Sequence, residues 1–98
     1  MDETLIHFDH IKRQYKARPY AHRFLASLSP YYELVVFTAG LKEYADYILD
    51  KFDTDRLITR RFYRDSCTFK KGIYMKDITK VNKNLEKVVI IDNISENF

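Results

Sequence analysis

The chain has 98 residues, 46% of them apolar and 32% charged, and a formal net charge of +3. That length allows one small domain, and the composition excludes a disordered or collagen-like chain. The mild basic excess favours anionic ligands but falls far short of a nucleic-acid-binding arm, so direct nucleic-acid binding is not expected.

The single cysteine, Cys67, allows no disulfide within the chain and favours a reducing, intracellular compartment such as nucleus or cytoplasm. The acidic start Met1-Asp2-Glu3-Thr4 has no apolar run behind it, and no membrane-spanning segment is expected.

In chain order, the basic stretch Lys12 to Arg18 reads as a solvated loop. Arg18-Pro19 opens a helix in which Ala21, Phe24, Leu25 and Leu28 recur at helical spacing, and Ser29-Pro30 ends it. The Tyr31-Tyr32 pair that follows is expected at the rim of the core. Leu34-Val35-Val36-Phe37 has the apolar, β-branched content of a buried strand. Leu41, Tyr44, Ala45, Ile48, Leu49 and Phe52 form an amphipathic stripe, so Leu41 to Phe52 is predicted to be a helix. Ile58 to Phe69 reads as a strand near the sheet edge, because arginines interrupt it. Gly72 marks a turn, and Val88-Val89-Ile90-Ile91 reads as a second fully buried strand.

This alternation predicts an α/β domain with a mostly parallel sheet. Ligands in such sheets sit beyond the carboxyl ends of the strands. The two buried runs end at Thr38 and at Asp92-Asn93, so these polar residues are expected on one rim. A hydroxyl, a carboxylate and an amide there suit a phosphate and a hard cation, and Lys76 could neutralise phosphoryl oxygens.

Several motifs, in order, resemble one family. Asp2-Glu3-Thr4-Leu5-Ile6-His7 is similar to the end of the DxDET(L)(V/I)H signature of the CTD-phosphatase-like branch of the haloacid dehalogenase superfamily. That branch includes small CTD phosphatases, Dullard-like phosphatases and NLI-interacting-factor-like proteins. Arg18-Pro19-Tyr20 with Phe24-Leu25, Glu33 to Ala39, Tyr44-Ala45, Arg64 to Cys67, Lys76-Asp77 and Val89 to Asn93 resemble further motifs of the branch.

The resemblance implies a Rossmann-like fold and a Mg²⁺-dependent phosphatase of phosphoserine and phosphothreonine proteins that works through an aspartyl-phosphate. Asp2 would be the general acid and base. Thr38 and Lys76 would stabilise the phosphoryl group. Asp92, Asn93 and the backbone carbonyl of Asp2 would hold Mg²⁺, with Asp92 alternatively orienting Lys76. Thr4 would support the loop. The nucleophilic Asp is expected immediately before Met1, where this sequence has no residue. The reading is therefore a partial domain over residues 1–98, without its first central strand and C-terminal segments, and without activity as written. The span from Phe8 to Ala17 is shorter than the inserted strands of small CTD phosphatases, so their substrate specificity is not carried over. The other reading is a non-catalytic protein-binding module of the same fold, as in the mitochondrial presequence-translocase Tim subunit.

The remaining polar residues have plainer readings. His7, His10 and His22 lack a zinc-ligand pattern. Cys67 reads as a small buried hydrophobe, Arg64 as a solvated or paired strand arginine, and Asp77 as a turn or cap residue.

Overall fold

The computed structural model describes residues 1–93. The chain starts with a β-hairpin, β1 (Ile6–Asp9) against β2 (Gln14–Ala17), followed by α1 (Ala21–Leu28). Strand β3 (Leu34–Phe37), helix α2 (Lys42–Phe52) and strand β4 (Ile58–Phe62) follow. A second hairpin joins β5 (Thr68–Lys70) to β6 (Ile73–Met75), with 3₁₀ turns at Arg64–Ser66, Ile78–Lys80 and Leu85–Lys87. The Lys71-Gly72 turn has positive φ at both residues, the geometry that suits a two-residue hairpin loop.

The core is built around α2. Its Ala45, Ile48, Leu49 and Phe52 are fully buried, and they cluster with Met1, Ile6, Ala21, Leu25, Val36 and Ile58. Burying a side chain the size of Leu or Phe contributes about 1.5–3 kcal/mol, so the helix stripe carries much of the fold. Helix α2 stops where Asp53 takes over. The Asp53 carboxylate accepts the Leu57 and Ile58 amides, each at 2.9 Å, and so turns the chain into β4.

Among the strands of the described residues only β3 and β4 pair in parallel, besides one isolated parallel bridge from Asp2 to Ile6; the two hairpins are antiparallel. The expectation of a mostly parallel sheet is thus corrected to a small α/β arrangement of three two-stranded sheets. Val88 to Ile91 is the reason. It forms no strand, and Val89 and Ile91 are 77% and 61% exposed. Strand β3 and Val88 to Asp92 line one groove of about 500 Å³ and form no ladder with each other. Strands pair only when about 4.7–4.9 Å separates them.

Three smaller expectations also change. The Lys12 to Arg18 stretch is mostly strand β2, because its residues pair with β1. The strand from Ile58 ends at Phe62, where the Arg64 amide bonds to the Gly40 carbonyl (3.0 Å) and draws the chain toward the end of β3. Tyr31 and Tyr32 are exposed rather than core. The C-terminal segments expected after Asn93 lie outside the described residues. No helix among the described residues is long and apolar enough to cross a membrane.

Asp46 ties α2 to β4. It accepts hydrogen bonds from Lys42 (2.5 Å), Arg61 (2.8 Å) and the Tyr63 hydroxyl (2.5 Å). Burial alone would raise its pKa, but these bonds outweigh it and hold the carboxyl at about 2. A depressed pKa contributes stability above the unfolded-state value, and that contribution is lost as pH falls through the folded value. At 22% side-chain exposure, solvent screens the cluster only in part. Asp46→Asn is expected to cost about 1–2 kcal/mol in urea unfolding at about pH 7. The deficit should shrink between about pH 4 and pH 2. A deficit that does not change with pH would show that the ionised carboxylate is not what stabilises.

Candidate functional site

A cleft of about 580 Å³ opens beyond the carboxyl end of β3. Asp2, Thr38, Lys76, Asp92 and Asn93 all line it. Five residues chosen from separate stretches of sequence therefore meet in one place. Thr4 does not line this cleft. It lies on the wall of the neighbouring groove and reaches Asn93 Oδ1 through its hydroxyl at 3.3 Å.

Thr38 continues the β3–β4 ladder, its amide donating to the Phe62 carbonyl at 2.9 Å. Its side chain is buried at the strand end, and its hydroxyl oxygen accepts the Gly40 amide at 3.0 Å. A hydroxyl that accepts one bond still has its O–H to donate. Lys76 follows β6 and is buried, with Nζ donating to Asp92 Oδ2 at 2.5 Å. Both side chains of this pair are almost fully enclosed, at 6% and 4% exposure. A charge buried that deeply is tolerated only when paired, so each of the two holds the other in place.

Met1 also lines this cleft and is buried.

Asp2 sits on a tight loop. Glu3 adopts a left-handed backbone (φ 61°), which costs a non-glycine residue of order 1–3 kcal/mol unless neighbours enforce it. Arg18 is one enforcer. Its Nε donates to the Thr4 carbonyl at 2.6 Å and its Nη2 to the Glu3 carbonyl at 2.8 Å. In sequence Arg18 has the place of a helix start and of a solvated stretch, and nothing local marks this clasp. Tyr44 has the spacing of a core-stripe residue. Its hydroxyl donates to Asp2 Oδ1 at 2.7 Å. Burial first, and then the bond to Asp2, push the phenol pKa well up, so Tyr44 stays a donor.

Two of the plainer readings are corrected: Arg64 lies in the 3₁₀ turn Arg64–Ser66 rather than in a strand, and Cys67 is only half-buried. Arg64 is paired, its Nε donating to the Ala39 carbonyl at 2.7 Å while the guanidinium lies 4.8 Å from the Tyr74 ring centre. It nonetheless borders the cleft. The Cys67 thiol pKa is pushed up by burial, which makes it a poor nucleophile. Asp77 accepts the Thr79 amide at 3.0 Å as a turn cap. His7 meets Glu3, and His22 packs on Phe52. His10 packs on Phe8 at the cleft edge. No group of three or more His, Cys, Asp or Glu among the described residues is arranged to hold a metal ion.

Comparison with known proteins adds the following. A family model described as "NLI interacting factor-like phosphatase" matches residues 1–98. CTD small phosphatase-like protein 1 of Caenorhabditis elegans is 35% identical over 111 residues, covering 95% of this chain and 23% of that protein. CTD nuclear envelope phosphatase 1 of Xenopus tropicalis is 47% identical over 77 residues, covering 78% of this chain and 32% of that protein. Carboxy-terminal domain RNA polymerase II polypeptide A small phosphatase 2 of Mus musculus is 40% identical over 76 residues, covering 78% of this chain and 28% of that protein. The chain thus spans less than a third of the length of each of these relatives.

Proposed function

The chain belongs to the NLI interacting factor-like phosphatase family, and from that premise we propose that it supplies the general acid and the phosphate-binding groups of a Mg²⁺-dependent phosphoprotein phosphatase acting on phosphoserine and phosphothreonine. The observation that carries this reading is the meeting of Asp2, Thr38, Lys76, Asp92 and Asn93 in one cleft.

In this reading a carboxylate held just before Met1 attacks phosphorus. The P–O bond to the substrate serine breaks, and its electron pair stays on the seryl oxygen. Asp2 delivers a proton to that oxygen. Thr38 donates a hydrogen bond to the phosphoryl group, and Lys76 offsets its charge. Water then attacks the aspartyl-phosphate, giving its proton back to Asp2 while the carboxylate leaves. Met1 lines the same cleft as Asp2, Lys76 and Asp92, which supports a nucleophile next to it in sequence.

The donor set this reading assigns is hard oxygen: the Asn93 amide, the Asp92 carboxylate and the Asp2 main-chain carbonyl. That chemistry fits Mg²⁺, which one or two carboxylates hold together with phosphate and water. Asp92 would be shared with Lys76. When bound, the cation would neutralise phosphoryl oxygens. The same reading places an extended apolar strand in the groove between β3 and Val88 to Ile91, completing a Rossmann-like sheet of the haloacid dehalogenase type.

The test is release of p-nitrophenol from p-nitrophenyl phosphate. The full-length protein should turn over with Mg²⁺, lose activity in EDTA and regain it on adding Mg²⁺. The polypeptide of residues 1–98 should show no turnover, because it carries no carboxylate at the nucleophile position. Turnover by the 98-residue polypeptide that survives Asp2→Asn would refute the assignment of the nucleophile. A full-length protein that binds phosphopeptides yet hydrolyses none would favour the non-catalytic module.

A further inference from the structure

We propose that Tyr44 is a positioning residue for Asp2: its hydroxyl pins one carboxyl oxygen so that the other faces the leaving group. The inference deepens the phosphatase reading and rests on Asp2 being its general acid.

Asp2 is an exposed residue whose backbone makes an isolated parallel bridge to Ile6. Tyr44, 42 residues away in sequence, bonds its Oδ1 at 2.7 Å. Tyr44 can act as a fixed point because it is itself held. It lies in the first turn of α2, directly before the fully buried Ala45. Phe8 of β1 meets its ring edge-on, with ring centres 5.4 Å apart. Gly40 lies under the ring: a Cβ there would sit 3.1 Å from Tyr44 Cδ2 and 3.2 Å from Thr38 Oγ1. The absence of a side chain at Gly40 thus lets the phenol approach both the turn and the cleft.

With Oδ1 occupied, Oδ2 is the oxygen that can pass its proton to the seryl oxygen as the P–O bond breaks. A general acid must lie within about 2.6–3.2 Å of the atom it protonates, so a side chain sampling several rotamers serves poorly. The burden depends on the leaving group. A seryl alkoxide needs the proton, whereas p-nitrophenolate departs well without it. A residue that only supports the fold would affect both substrates alike.

The experiment compares full-length protein and its Tyr44→Phe variant, which keeps the ring and removes the donor. With a phosphoserine peptide, kcat/KM, which reports only the steps through loss of the leaving group, should fall about tenfold, a fraction of the usual general-acid contribution. With p-nitrophenyl phosphate, kcat/KM should stay within about twofold, since little acid assistance is at stake in that step. Equal losses of kcat/KM on both substrates, or no loss on either, would overturn the proposal. If the full-length protein hydrolyses neither, the phosphatase reading itself fails. The χ1 angle of Asp2, read from three-bond NMR couplings, then decides about Tyr44. One rotamer in the native protein and averaging in Tyr44→Phe supports the positioning role. The same χ1 behaviour in both overturns it.

Discussion

Replacing Lys76 with methionine should lower kcat of the full-length protein by roughly two to three orders of magnitude, the scale of losing one preorganised charge stabiliser. Lys76 is buried, lines the cleft and has its ammonium held by Asp92 at 2.5 Å, so its charge is fixed in place. The same burial complicates the variant. Removing one partner of a buried pair leaves an uncompensated charge and costs about 3–5 kcal/mol, whereas replacing both partners with apolar residues is often close to neutral. The double variant Lys76→Met, Asp92→Leu should therefore recover most of the lost stability in urea unfolding while recovering no activity. Activity that returns together with stability would show that Lys76 matters to the fold and not to the phosphoryl group.

The second large effect is expected in the groove. In the polypeptide of residues 1–98, the amides of Val88 to Ile91 have no strand partner, and β3 pairs on one side only. These amides should exchange with solvent quickly. In the full-length protein the proposed strand between them would give both runs a ladder. Each hydrogen bond formed contributes about 0.5–1.5 kcal/mol net, so forming several should raise protection of Val35 to Phe37 and Val88 to Ile91 by about a hundredfold or more, one tenfold step for each 1.4 kcal/mol. Helical circular dichroism would miss the change, because the buried stripe of α2 can hold its helix without a complete sheet. Strong protection of Val88 to Ile91 in the 98-residue polypeptide would mean that the groove closes without an added strand.

Much of the fold was legible from short-range patterns. The α2 stripe from Leu41 to Phe52, the α1 start after Arg18-Pro19, the run Leu34 to Phe37 and the Gly72 turn all lie where periodicity and turn chemistry placed them. Such features depend on residues three or four apart, which one sequence displays openly. The likeness of several motifs to one family was equally open, and it named the five residues that meet in the cleft.

Tertiary structure decided the rest. Val88 to Ile91 has the composition of a buried strand, yet strand formation needs a partner within hydrogen-bonding reach, and the groove withholds one. The Arg18 clasp spans 14 and 15 residues, the Lys76–Asp92 pair 16, and the Tyr44–Asp2 bond 42. None of these leaves a mark on local periodicity, because each exists only once the chain has folded back on itself. Tyr44 shows the difference most clearly. Its spacing on α2 marks it as a core residue, and its ring does pack against Phe8; only the three-dimensional path of the chain puts its hydroxyl on the Asp2 carboxylate.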